Sequence, residues 1–309
     1  MAPEEKMARR VLAIRGLLPP FDLDALAAEY GDLDYLNLPY GVDGITIGIG
    51  GEQRPQILVN SAAAPTRRKF TLAHEIGHIV IPWHTGTIVS HLDPGHADAA
   101  YAQMEAEANR FAAELLMPSD WLALQFERAG SVEKYFRTVH ATAGTSQEAT
   151  FYKLFKSLPS PVICLQVDNS SRLLKAKRSP TAPYYQPEEG ALIDPAYFAA
   201  NNRYETFEID GQCYVSWTFI GRDIAEIDSR PWREIYGTIL DDTGMRANLQ
   251  SINAVLAGAF NKSRALSEQD ICGAIYRAFD NYQQYGQVVN HPLFEQYVIK
   301  RVKELKQRR

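Results

Sequence analysis

His74, Glu75 and His78 stand together in the run HEIGH, a density of ligand and acid/base chemistry found nowhere else in the 309-residue sequence. Residues four apart on a helix share a face, so both imidazoles leave one side a single turn apart and can ligate one tetrahedral zinc ion. Glu75 projects about 100° around the same helix. It would stand beside a metal rather than on it, placed to take a proton from activated water and pass it to a leaving amine. Leu72, Ala73, Ile76, Ile79 and Val80 surround the polar trio. The helix therefore reads as buried, where charge without a metal or partner is costly.

A catalytic zinc site takes a third protein ligand and leaves the fourth position to water. His84 falls at the third-histidine spacing of HExxHxxGxxH, but that pattern turns on a glycine, and here Ile81 is followed by Pro82. The rival candidate is a carboxylate in YAQMEAEANRFAAELLMP. There Glu105 shares a helical stripe with Ala108, Asn109, Ala112 and Leu116, small enough for a second helix to approach closely. Glu107 aligns instead with Glu114, and for Glu107 and Asn109 a solvated helix face is an equally open reading. Glu105 is the favoured third ligand, with Asn109 one turn on as a hydrogen-bond partner for a ligand. His91 and His96 read as surface residues of the intervening loop.

These side chains need a scaffold. Residues 1 to 60 read as mixed helix and strand: Phe21 to Tyr30 helical, then two strands marked by Ile45, Ile47, Ile49 and by Ile57, Val59 across a Gly/Pro turn. The second of these, Gln56 to Asn60, would offer an edge for an extended substrate peptide. Helices are expected over Thr66 to Ile81, ending at Pro82, and over Ala100 to Met117, ending before Pro118. Residues 121 to 158 read as helical up to the linker Pro159-Ser160-Pro161. Beyond it, strand patterns over 161 to 175 and 212 to 221 and a helical stretch over 245 to 285 predict an α+β domain. The terminal stripe Phe294, Val298, Val302, Leu305 predicts a docked helix with a basic outer side.

Composition narrows the class. With 46% apolar and 22% charged residues the chain is ordinary globular protein of two or three domains. A net charge of -5 argues against a surface built throughout for nucleic acid or anionic membrane. Cys164, Cys213 and Cys272 form no CxxC pair and fit a reducing compartment. With no signal-peptide core and no stretch long enough to span a bilayer, a cytoplasmic protein is expected.

The segments ILVN, RRKFTLAHEIGHIV and EAEANRFAAELLMP, in that order within residues 45 to 118, resemble the ImmA/IrrE metallopeptidase family. The resemblance implies His74, His78 and Glu105 as metal ligands and Glu75 as the catalytic acid/base, with zinc as the metal and manganese possible in vivo. It implies an α+β architecture: a zincin-like peptidase domain over 1–120, a helix-turn-helix-like helical segment over 121–158 and a GAF-like sensor domain over 161–309. The implied activity is a site-specific, gluzincin-like endopeptidase. Its protein substrate would be a DdrO-like helix-turn-helix repressor, cut to switch on a response to DNA damage and radiation, with a small-molecule signal at the carboxy-terminal domain.

One alternative stays open, a DNA-binding transcriptional regulator with a vestigial peptidase site. A helix through His140, a turn at Gly144-Thr145 and a second helix from Ser146 match helix-turn-helix spacing, with Gln147, Thr150 and Lys153 on the face expected to be exposed. Four cations against two carboxylates, a surplus of two, make a weak phosphate-binding face.

Overall fold

In the computed structural model, which describes residues 2–90, 99–182, 185, 187–198, 202–219, 225–279 and 281–308, the chain divides into two units, Met1–Leu154 and Phe155–Arg309. His91 and His96 lie outside the described residues.

The first unit runs α1 (Pro3–Arg15), α2 (Leu23–Tyr30), β1 (Asp32–Leu36), β2 (Gly44–Ile49), β3 (Gln56–Asn60), α3 (Pro65–Val80), β4 (Gly86–Ser90), α4 (Ala99–Leu116), α5 (Ser119–Ala129), α6 (Val132–Ala143) and α7 (Gln147–Leu154). The helix carrying HEIGH opens on Pro65 at its first position and closes where Pro82 cannot continue it, with Ile81 already extended at φ -79, ψ 111. Its partner α4 lies close because Gly77 has no side chain. A Cβ there would stand 3.0 Å from the Phe111 ring, and at that spacing Leu72, Ala73, Ile76, Ala108, Phe111, Ala112 and Leu115 close into a fully buried seam.

Four strands form one sheet in the order β1-β3-β2-β4. β3 pairs in parallel with β1 and antiparallel with β2, so both its edges are taken, and the expectation that it offers an edge to a substrate is wrong. The outer strands are β1 and β4. The isoleucines of β2 mark the strand but not its buried face. Gly44 and Thr46 face inward while Ile47 is exposed, and a register shift after Thr46 returns Ile49 to the core.

The second unit is also mixed. β5 (Val162–Val167), β6 (Leu173–Arg178), β7 (Asn202–Ile209) and β8 (Gln212–Phe219) make an antiparallel sheet in the order β6-β5-β8-β7. It packs its own core around Trp217, Ile163 and Leu165. α8 (Trp232–Asp242), α9 (Leu249–Ser263), α10 (Glu268–Phe279), α11 (Gly286–Val289) and α12 (Phe294–Gln307) enclose a second core, where the Tyr236 and Tyr297 rings stack at 4.5 Å. The terminal helix docks as its stripe predicts, with Phe294, Val298 and Val302 fully buried.

Candidate metal centre

The α3–α4 seam brings three ligand-type side chains to one point. His74 Nε2 and His78 Nε2 lie 2.9 Å apart, and each is 3.3 Å from an oxygen of Glu105. All three residues are buried. Among the described residues this is the one group of three or more His, Cys, Asp or Glu side chains whose ligand atoms converge in this way. Glu107, one residue pair further along α4, points elsewhere.

The hydrogen bonds at the back of each ring decide what its front can offer. Asn109 Oδ1 lies 2.9 Å from His74 Nδ1, so that nitrogen carries the hydrogen and, in the neutral ring, Nε2 is a bare lone pair. His78 Nδ1 lies 2.9 Å from His84 Nδ1. Two imidazole nitrogens and a carboxylate converging in a dry seam call for a shared proton or a cation among them. Glu105 Oε1 is buried without a hydrogen bond of its own, as a ligand oxygen would be. The donor set of two imidazoles and one carboxylate therefore fits a divalent metal of the zinc type.

Charge states follow the same geometry. Burial alone would neutralise Glu105, yet the His74 and His78 imidazoles facing it hold its pKa down at about 2. Burial pushes His78 down to about 4, keeping that ring neutral and able to ligate. For His74 burial acts in the same direction, but the Glu105 and Glu75 carboxylates outweigh it and raise the pKa.

Glu75 lies on the same helix with no solvent exposure. Thr46 of β2 donates to its Oε2 at 2.5 Å, while Oε1 has no hydrogen-bond partner among the described residues. Burial raises its pKa, against the pull of His74 and Thr46. Gly44 leaves room for this carboxylate. A Cβ at that position would collide with Glu75 Oε1 and stand 2.7 Å from Thr71 Cγ2.

His84 does not join the convergent set: a turn closed by His84 N–H donating to the Ile81 carbonyl folds it behind His78. Glu107 is buried rather than on a solvated face, and Glu114 is buried too. Glu107 accepts from Trp83 and Gln103 and contacts His84, while Glu114 takes Lys153 Nζ at 2.5 Å and the Ser119 N–H at 2.9 Å. Thr150 and Lys153, expected on an exposed helix face, are buried as well. Gly44, Thr46 and Trp83 had no sequence signal, since only sheet pairing and chain reversal bring them to the site.

An HExxH helix packed between a four-stranded sheet and a second, acidic helix defines the class, an α+β metallopeptidase-type domain. Residues 10–155 match the family model Peptidase_M78, the IrrE N-terminal-like domain. Over residues 10–155 the chain is thus similar to the ImmA/IrrE metallopeptidases. Two curated relatives are both described as radiation response metalloprotease IrrE. That of Deinococcus radiodurans is 30% identical over 162 residues, 52% of this chain and 48% of the relative. That of Deinococcus deserti is 30% identical over 151 residues, 45% and 54% respectively. The chain thus matches about half the length of these relatives. A solved chain described as a Mycobacterium tuberculosis transcriptional regulator is 14% identical, covering 70% of this chain and 75% of its own, with a TM-score of 0.42. That likeness is too low to carry an argument. No helix among the described residues is long and apolar enough to cross a membrane.

Proposed function

We propose that this chain is a zinc-dependent endopeptidase in which His74, His78 and Glu105 hold the metal and Glu75 is the acid/base. The observation that carries the reading is the convergence of three buried ligand atoms beside a fourth buried side chain, Glu75, tethered by one oxygen and open at the other. Bound there, the metal would supply Lewis acidity, lowering the pKa of a water from about 16 toward about 7 and polarising a peptide carbonyl. Glu75 Oε1 accepts the proton of the attacking water and delivers it to the departing amine. Burial raises its pKa, which favours taking a proton from the attacking water. Thr46 holds the other oxygen and fixes the direction of transfer. The metal is zinc on donor chemistry, with manganese as a substitute in the cell.

The substrate reading rests on the family and the two relatives: a DdrO-like helix-turn-helix repressor, cut once between its DNA-binding and dimerisation parts. Loss of bivalency would lower operator affinity and turn on genes of the DNA-damage and radiation response. In this reading residues 1–120 are the cytoplasmic peptidase, 121–158 a helix-turn-helix-like segment for partner contact, and 161–309 a GAF-like sensor taking a small-molecule signal. The DNA-binding alternative is weaker, because Thr150 and Lys153 are enclosed within the first unit.

Incubating the metal-loaded chain with a purified repressor of this class should give two discrete fragments, and Glu75→Gln should give none. An intact repressor under metal-replete conditions would overturn the substrate reading. Casein digestion at comparable speed would overturn the specificity.

A further inference from the structure

We propose that His84 and Glu107 are positioning residues of the metal centre, forming with His78 a directed hydrogen-bond chain that presents the bare Nε2 of His78 to the metal. The inference rests on the proposed metal-site reading and extends it to residues outside the ligand set.

The direction of the chain can be worked out from its far end. Glu107 receives the indole N–H of Trp83 at 2.6 Å and the amide of Gln103 at 2.9 Å, and both groups can only donate. Gln103 is satisfied on Oε1 and Trp83 on Oε2, which together fix the plane of the carboxylate. His84 Nε2 lies 3.1 Å from the same Oε2. An ionised carboxylate only accepts, so His84 Nε2 carries the hydrogen.

Between His84 Nδ1 and His78 Nδ1, at 2.9 Å, there is room for one proton. Placed on His84, it would make that ring a doubly protonated cation and leave the His78 hydrogen on Nε2, on the lone pair that a metal would take. Placed on His78 Nδ1, it gives one continuous direction: His78 donates to His84, His84 donates to Glu107, and the His78 Nε2 lone pair faces Glu105 and His74, where a metal would take it. The two ligand rings are thus oriented by different devices. His74 leans on a neutral amide, Asn109, whereas His78 leans on a carboxylate through a second imidazole. Carboxylate backing raises the basicity of an imidazole ligand and fixes its ring plane.

The chain also accounts for the local sequence. Pro82 stops α3, and the turn at Ile81 places Trp83 and His84 together against Glu107, with His84 1% exposed and Glu107 7%. A buried carboxylate with three N–H neighbours is a costly device to maintain on a helix that already supplies a metal ligand two residues earlier. Holding His78 gives it a purpose.

The test uses the full chain with zinc and with cobalt as a spectroscopic probe. Chelator competition should show His84→Phe and Glu107→Gln weakening zinc by about 10- to 100-fold, with the cobalt absorption bands shifted while far-UV circular dichroism is unchanged. Nitrogen-15 spectra of the zinc-loaded wild type should show His78 protonated on Nδ1 and His84 on Nε2. Wild-type affinity and unshifted cobalt bands in both variants, or a His84 doubly protonated or protonated on Nδ1, would overturn the proposal. Should His84→Phe fail to fold, Glu107→Gln and the wild-type tautomers decide the matter alone. His74→Ala separates the two levels. If it too keeps full affinity, the metal-site reading falls; if it alone loses the metal, only the relay falls.

Discussion

The two units spend their buried volume differently. Among the described residues, every buried carboxylate, histidine and lysine lies in the first unit: Glu4, Glu5, His74, Glu75, His78, His84, Glu105, Glu107, Glu114 and Lys153. Among its described residues the second unit buries polar side chains only as Ser179, Thr181, Ser216, Ser263 and Gln296, around cores of Trp217, Tyr236, Tyr297 and aliphatic residues. Removing a charge from water costs several kcal/mol unless a partner compensates it. A fold that does this repeatedly on two adjacent helices is built around something those groups hold. Within the first unit there is an internal control. Glu114 is matched by Lys153 and capped by Ser119, so it is complete without a metal. Glu105 and Glu75 each keep a buried oxygen without a hydrogen bond.

That contrast can be broken by substitution. The largest effect is expected for His74→Ala and Glu105→Gln, which should abolish tight metal binding in a chelator assay and remove the thermal stabilisation that zinc gives the wild type. Glu75→Gln should keep the metal and the fold but cut more slowly by about 10²- to 10⁴-fold, measured as single-turnover cleavage. Glu114→Ala leaves Lys153 buried without its carboxylate and should destabilise the first unit by about 3–5 kcal/mol in denaturant titration. Zinc should then stabilise this variant by the same increment as the wild type, which distinguishes a structural charge pair from the metal site. Gly44→Ala adds a Cβ against Glu75 and Thr71. Metal affinity should hold while cleavage falls on the order of 10²-fold, the scale of a misplaced catalytic group.

The site was more legible in the sequence than the sheet that holds it. HEIGH and the AEAN helix declare themselves because helical spacing puts their polar residues on defined faces, and both helices end at prolines. Ile81, followed by Pro82, stands where the third-histidine pattern needs a glycine, and the structure folds His84 behind His78. The strands were harder. β1 reads DLDYL with almost no buried face, and β7 is largely polar. Both lie at a sheet edge, held by backbone hydrogen bonds that leave no mark on side-chain pattern. In β2 the isoleucines drew attention to the wrong side, since the inward face is Gly44 and Thr46, there to accommodate and tether Glu75. Glu107 and Lys153 read as candidates for solvated faces because a helical wheel shows position and not what the next element brings to it.

Elemental analysis of two separately expressed pieces, residues 1–158 and residues 161–309, tests the central claim most directly. The account predicts one tightly held zinc per chain in the first piece after extensive washing, none in the second, and none in the first when it carries His74→Ala. Zinc retained by the second piece, or held undiminished by the His74→Ala variant, would contradict it.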